Sequence, residues 1–187
     1  FNNDKRKCIN CDQISYLGKD YPVIKNNYQT VFSPQTAYQM TSILEGVVQR
    51  GTAKKIKDLK LNIAGKTGTT NKNTDTWFIG FTSNLLIGVY VGSDNPISLG
   101  KYETGSKTAL PIFKEFIKKV VKKSDARPFK AAGGTVMMVV DPITGQKAKF
   151  TSKNTIIEVY KKENVINGEV LYSNNDRLDA NNILKFY

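Results

Sequence analysis

The chain has 187 residues, 40% apolar and 24% charged, values of a globular protein with room for one core and a small appendage, and wholesale disorder is excluded. Basic residues outnumber acidic ones 28 to 16, for a formal net charge of +12, and histidine is absent. That absence removes every Ser-His-Asp or Cys-His arrangement and most transition-metal sites, leaving Lys, Asp, Glu and Tyr for acid–base chemistry.

Residues 1–32 are polar and irregular, with turn signals at Asn2-Asn3, Gly18-Lys19 and Asn26-Asn27. They hold the only cysteines, in Cys8-Ile9-Asn10-Cys11. Half a zinc site would need two further ligands, and the chain has no second pair. A redox pair would precede a helix in a βαβ unit, whereas these flanks are those of a loop. A structural or incidental pair fits best. From Ser33 the pattern changes. Ser33 is a good N-cap and Pro34 suits the first helical position. Ala37, Met40, Leu44, Val47 and Val48 recur at helical spacing, and Gly51 follows as a stop. A helix is expected over 34–50, then a Lys-rich connector from Thr52 to Lys60.

Three strands follow: Leu61 to Thr69, Thr76 to Thr82 and Leu85 to Gly92, rich in β-branched and aromatic residues. Ser83-Asn84 makes a tight hairpin and Thr70 to Asp75 a longer polar turn, and connections this short force antiparallel pairing. Asp94 to Lys107 reads as loop. A second helix over 108–123 places Ile112, Phe113, Phe116, Ile117, Val120 and Val121 on one face, with Lys118, Lys119, Lys122 and Lys123 closing it. Thr135 to Val140 is a strand ending in the turn Asp141-Pro142-Ile143-Thr144-Gly145. Residues 154–160 and 169–172 give further short strands. The parts are an irregular segment 1–32, a body 33–123 and a β-rich tail 124–187. The fold class is α+β, an antiparallel β-sheet packed by helices.

Chemistry concentrates in Ala64-Gly65-Lys66-Thr67-Gly68-Thr69-Thr70. A cation, two hydroxyls and a residue without a side chain stand in a row on a strand. Alternation sends Lys66 and Gly68 to one face and Thr67 and Thr69 to the other. Such a strand can hold a carboxylate while an extended peptide lies alongside, and a Cβ at position 68 would keep that second backbone away. Gly65-Lys66-Thr67 also matches the end of a phosphate-binding loop, but the first glycine of that motif falls on Lys60 and strand signals, not a helix, come next. A nucleotide site is rejected. The positive charge suits an anionic partner. Yet 24 of the 28 basic residues are lysine and Asn is plentiful, while base reading leans on arginine. A coding bias accounts for the excess. No specific nucleic-acid partner is expected, and a basic module for anionic polymer or lipid surfaces stays as the alternative.

The long form Gly65-Lys66-Thr67-Gly68-Thr69-Thr70-Asn71 stands in a consistent series. Before it come Val47-Val48-Gln49-Arg50-Gly51-Thr52. After it come Trp77-Phe78-Ile79-Gly80-Phe81, Val91-Gly92-Ser93-Asp94, and Glu103-Thr104-Gly105 leading to Pro111-Ile112-Phe113. Over residues 31–120 this resembles the penicillin-binding transpeptidases, specifically the class A penicillin-binding proteins, whose sites combine S-x-x-K, S-x-N and K-T-G. The resemblance implies that Lys66 supplies positive charge beside the S-x-N serine and helps the proton relay. It implies that Thr67 and Thr69, with Gly68 between them, bind the terminal carboxylate of a D-Ala-D-Ala stem peptide or of a β-lactam. The Thr69 amide would form half of an oxyanion hole. No cofactor and no metal are implied.

One departure is plain. Ser98-Leu99-Gly100-Lys101 and Ser93-Asp94-Asn95 match the missing motifs by letter, but they follow Lys66, in reversed order and in a Gly/Pro loop. Both read as coincidence. The serine, its lysine and the true S-x-N are expected upstream of Phe1, in another part of the same domain. A glycosyltransferase domain and a membrane anchor would lie farther upstream, placing the parent on the periplasmic face of the inner membrane. The chain alone is expected to be non-catalytic. Without the helices that cover the sheet in the family, an apolar face should be left open. Trp77 and Phe78 are expected in the core and cleft wall, and Asp94 and Glu103 in solvent.

Overall fold

The computed structural model describes residues 6–9, 23–26, 29–95, 97–122, 127–152, 154–166 and 169–170. Two units are distinguished, Phe1–Ser33 and Pro34–Tyr187. In the first, where the sequence offered only turns, Arg6–Ile9 (β1) pairs antiparallel with Val23–Asn26 (β2). Four residues of each strand are too few for a period-2 pattern to stand out. Cys8 lies on β1, and Cys11 is outside the described residues.

The second unit opens with Pro34, whose fixed φ and missing N–H suit a first helical turn. The helix α1 runs Pro34–Gln49, and the N–H of Gly51 donates to the Val47 carbonyl at 3.1 Å as the chain turns off it. Gly46, Val47 and Val48 are buried, whereas Ala37 and Met40 on the expected apolar face are exposed. Only the C-terminal half of that face meets the core. The connector is not extended. Lys54–Leu59 forms a 3-10 stretch that buries Ile56, a short element whose single buried residue sits among lysines and leaves no periodic trace.

Ala64–Thr69 (β3), Thr76–Phe81 (β4) and Leu86–Val91 (β5) make an antiparallel sheet in the order β3-β4-β5. The hairpin after β4 closes as expected around Ser83-Asn84, with the Thr82 N–H donating to the Leu85 carbonyl at 2.8 Å. The register sets Thr67 opposite Phe78, Gly68 opposite Trp77 and Thr69 opposite Thr76. One face, carrying Phe78, Val89 and Thr76, is covered by α2 (Ala109–Val120), which buries Ala109, Leu110, Phe113 and Ile117. Phe113 meets Phe78 edge to face, with ring centroids 4.7 Å apart, a contact that contributes about 0.5–1.5 kcal/mol beyond burial. Gly65 and Gly80 pair across the strands beneath these rings, and a Cβ on Gly80 would stand 2.8 Å from the Phe113 ring.

The other face is open, with Trp77, Ile79, Leu86 and Tyr90 all exposed, as the family resemblance implied. Two expectations for α2 are corrected. Ile112, Phe116 and Val120 form an exposed stripe, because Leu110, Phe113 and Ile117 set the buried arc and the stripe is rotated to one side of it. The helix also stops earlier. Val121 is extended, leaving Lys118 and Lys119 alone in the last turn; Lys122 follows it, and Lys123 is outside the described residues.

Thr135–Val140 (β6) pairs antiparallel with Ile156–Lys161 (β7). The Asp141 turn is an Asx-type turn, its Oδ1 accepting the N–H groups of Ile143 (2.8 Å) and Thr144 (3.2 Å). This hairpin rests on α1. Gln35 donates to the Gly133 carbonyl, Gln39 donates to the Val159 carbonyl, and Arg50 pairs with Glu158. Val165–Ile166 (β8) and Glu169–Val170 (β9) form a last short ladder, and residues 171–172 of the expected final strand lie outside the described residues.

Candidate functional site

Among the described residues β3 has a strand partner, β4, on one side only. The phase of the ladder decides what the other edge offers. The Thr70 N–H donates to the Asp75 carbonyl at 3.0 Å, so the rows Thr69–Thr76 and Thr67–Phe78 are the non-hydrogen-bonded ones. Thr67 and Thr69 therefore turn their own N–H and C=O groups outward, onto the free edge. Lys66 reaches the same edge from the open face, its Nζ donating to the Thr67 carbonyl at 3.0 Å.

Behind the edge each threonine hydroxyl has a fixed partner. The Gly105 N–H donates to Thr69 Oγ1 at 3.1 Å, and Thr67 Oγ1 lies 2.8 Å from Thr52 Oγ1. An amide can only donate, so Thr69 keeps its own proton for another acceptor. Thr67 is half-buried while Lys66 and Thr69 are exposed, so these groups stand open to a ligand. Lys66 and Gly68 share the open face, and Thr67 and Thr69 the helix-packed one, as alternation required.

Gly105 approaches so closely because it has no side chain. A Cβ there would stand 2.7 Å from the Gly68 carbonyl oxygen and nearer still to that of Trp77. The same turn is held by Thr108, whose hydroxyl donates to the Thr104 carbonyl at 3.0 Å and lies 2.6 Å from the buried Thr76 hydroxyl. Thr76 Oγ1 also donates to the Val91 carbonyl at 3.3 Å, so the two hydroxyls share their protons between each other and the two carbonyls.

At the far end of β3 the turn is tied down by Asp75. Its Oδ1 accepts from the Tyr90 hydroxyl at 2.7 Å, and Oδ2 accepts from Thr74 (3.0 Å) and Thr70 (3.3 Å). These bonds, Tyr90's foremost, hold the Asp75 carboxyl below the usual carboxylate range, and the same contact pushes the Tyr90 phenol up. Asn73, in the left-handed region, donates from Nδ2 to the carbonyls of Gly100 and Lys101, both at 2.9 Å. Trp77 packs against Tyr90 with centroids 4.9 Å apart and ring planes tilted by 48°, and it walls the open face beside Gly68. Trp77 is 42% exposed, the cleft-wall placement rather than the core one, whereas Phe78 is fully buried.

Ser98 and Lys101 lie in an exposed loop, not at the start of a helix, and Ser98 Oγ accepts from the Gly100 N–H at 3.3 Å. Ser93 and Asp94 are exposed as well, and Glu103 is half-buried. The structure adds four residues to the site that sequence reasoning did not single out: Thr52, Gly105, Asp75 and Tyr90. Thr52 and Gly105 were present only as letters in the flanking series, Asp75 only as the end of a polar turn and Tyr90 only inside a strand; nothing local tied them to the site.

A family model for the penicillin binding protein transpeptidase domain matches residues 16–118. Penicillin-binding protein 1A of Rickettsia felis is 37% identical over 184 residues, covering 96% of this chain and 23% of that protein. Penicillin-binding protein 1A of Pseudomonas aeruginosa is 37% identical over 145 residues, covering 72% and 18%. The crystal structure of penicillin-binding protein 1A from Haemophilus influenzae superposes with a TM-score of 0.63 at 27% identity, covering 76% of this chain and 22% of that one. The chain thus spans less than a quarter of the length of these relatives.

Proposed function

The chain belongs to the penicillin-binding protein transpeptidase family, and from that premise we propose that β3 is the substrate strand of a peptidoglycan cross-linking D,D-transpeptidase. Thr67 and Thr69 bind the terminal carboxylate of a D-Ala-D-Ala stem peptide, or of a β-lactam. Gly68 leaves room for the ligand backbone. The Thr69 N–H supplies half of the oxyanion hole, and Lys66 brings positive charge and aids proton relay. The observation that supports this reading is the free edge of β3, with outward N–H groups at Thr67 and Thr69 and a hydroxyl at Thr69 whose proton is unspent. Donors fixed on a strand need little rearrangement as charge develops on the attacked carbonyl oxygen.

In the reaction a serine gives up its hydroxyl proton as its oxygen bonds to the penultimate D-Ala carbonyl carbon, the amide to the terminal D-Ala breaks, and the leaving amine takes a proton; an acceptor amine then displaces the serine oxygen, which regains a proton, and the cross-link forms. No S-x-x-K and no S-x-N precedes Lys66 in these residues. The serine, and with it the covalent step, belongs to another part of the same domain. The parent would act at the periplasmic face of the inner membrane, and among the described residues no helix is long and apolar enough to cross a membrane.

The test is a titration of the chain with N-acetyl-D-alanyl-D-alanine, followed by backbone NMR. Shifts should cluster on Lys66 to Thr69, weaken with the C-terminal amide of the same dipeptide, and vanish in Gly68→Ala. In that variant the added Cβ stands 3.2 Å from the Trp77 Cβ, which the β4 backbone fixes, so the ladder must shift by a few tenths of an ångström, and far-UV circular dichroism of the variant is compared with the wild type before its titration is read. Shifts elsewhere, or equal binding of acid and amide, would sink the reading. So would a stable fluorescent-penicillin adduct on Ser98 or Ser93.

A further inference from the structure

We propose that Thr52 is a positioning residue for Thr67, donating its hydroxyl proton so that the Thr67 proton is aimed at the ligand carboxylate, and that the β6–β7 hairpin holds Thr52 in place through Arg50. This inference rests on the carboxylate-binding reading of β3 and assigns it a support.

The two hydroxyl oxygens are 2.8 Å apart, and either can donate. The choice matters to an anion. If Thr67 donates backward, the ligand meets lone pairs. If Thr52 donates, the Thr67 proton is free, and a hydroxyl that accepts one bond becomes the stronger donor of the next. Thr69 already works this way, with the Gly105 amide as its fixed donor. Thr52 completes the pattern for the second hydroxyl.

Thr52 is held by its neighbours. Ala53 is fully buried, and its N–H donates to the Val47 carbonyl at 3.1 Å. On the other side the Arg50 N–H donates to the Gly46 carbonyl at 2.9 Å, and the Arg50 guanidinium pairs with Glu158 on β7. Gly46 makes that reach possible, since a Cβ there would stand 2.8 Å from the guanidinium. Burial pushes the Glu158 carboxyl above its usual range, against the opposing pull of Arg50, so the pair is poor evidence for stability and better evidence for placement. Gln39, donating to the Val159 carbonyl at 3.1 Å, fixes the same strand to α1. The link runs from the hairpin to the Arg50 side chain, along the backbone through Gly51 to Thr52, and from its hydroxyl to Thr67 on β3.

The experiment uses the full chain and three variants, with Thr67 side-chain rotamers read from three-bond NMR couplings, which need no ligand. The wild type and Thr52→Ser should show one dominant Thr67 rotamer. Thr52→Val, which keeps shape and loses the hydroxyl, should show averaging. Arg50→Met should move in the same direction by less. In the dipeptide titration, Thr52→Val should bind about three- to tenfold more weakly, the worth of one hydrogen bond, with Thr52→Ser restoring affinity. An unchanged Thr67 rotamer in Thr52→Val overturns the proposal even where the dipeptide binds. Averaging in Thr52→Val without any in Arg50→Met overturns the role of the hairpin. A wild type with one rotamer that does not bind the dipeptide overturns the carboxylate reading instead.

Discussion

Gly105→Ala should be the most damaging single methyl that can be added to the sheet's backing. The built Cβ lies 2.7 Å from the Gly68 carbonyl oxygen and closer to that of Trp77, while ordinary contact begins at 3.4 Å. Both opposing atoms are backbone within the β3–β4 ladder, so neither can rotate away. The turn must lift by 0.7 Å or more. Movement along the Gly105–Thr69 bond would lengthen it from 3.1 Å to about 3.8 Å, past the limit of a hydrogen bond. Overpacking of this kind costs about 1–3 kcal/mol, and the strained bonds at Thr69 and between Thr76 and Thr108 add about 1 kcal/mol each. A loss of about 3–5 kcal/mol, at a slope of about 2 kcal/mol per M, lowers the urea midpoint by about 1.5–2.5 M. Gly133→Ala is the control. Nothing lies within 4 Å of its built Cβ and its φ is not left-handed, so it should be neutral or stabilise by up to about 1 kcal/mol through the unfolded chain. Urea unfolding followed by Trp77 fluorescence decides the matter. Coincident midpoints for the two variants would refute the packing argument.

Two further outcomes follow from the same geometry. Hydroxyl bonds depress the Asp75 carboxyl, so its contribution to stability is present above the unfolded value of about 3.9 and is lost as pH falls through the lower folded value; Tyr90→Phe should raise that titration toward 3.9, read from the Asp75 carboxyl carbon by NMR, and an unmoved titration would count against the Tyr90 bond. The open sheet face should drive association of the chain expressed by itself, and Ile79→Lys with Leu86→Lys should return it to a monomer in sedimentation velocity, whereas a monomeric wild type would show that this face needs no cover.

The elements that were legible in the sequence are those with a sustained period. Pro34, the Val47-Val48 pair and Gly51 marked α1 to within a residue of its observed end. The β-branched and aromatic runs marked β4, β5 and β6, and the two-residue hairpin fixed antiparallel order; β3 was expected from Leu61 but begins at Ala64, since Leu61 and Ile63 serve the core from outside the ladder. What no period encodes was missed: the four-residue strands β1 and β2, and the 3-10 stretch around Ile56. The covered arcs of the helices were misjudged for a different reason. Met40, Ile112 and Phe116 satisfy the amphipathic pattern, but burial is decided by what lies opposite, and that information belongs to the tertiary contact. The site divides in the same way. Lys66 to Thr69 could be read as a unit because the chemistry is contiguous. Thr52 and Gly105 meet that strand across 15 and 36 residues of chain, and only the folded register brings them together.

An exposed strand edge is normally a hazard, since unpaired N–H and C=O groups accept any extended chain, and a lysine is a common guard against it. Lys66 meets that need here by leaning over its own edge to the Thr67 carbonyl. An internal stretch of peptide that added along β3 would have to displace this contact and return the exposed ammonium to water. A chain terminus brings a carboxylate that can take the ammonium and the threonine hydroxyl protons in exchange. On the proposed reading, the Lys66 contact would thus disfavour the middle of a chain relative to a free carboxylate end, in line with a strand that binds the end of a stem peptide.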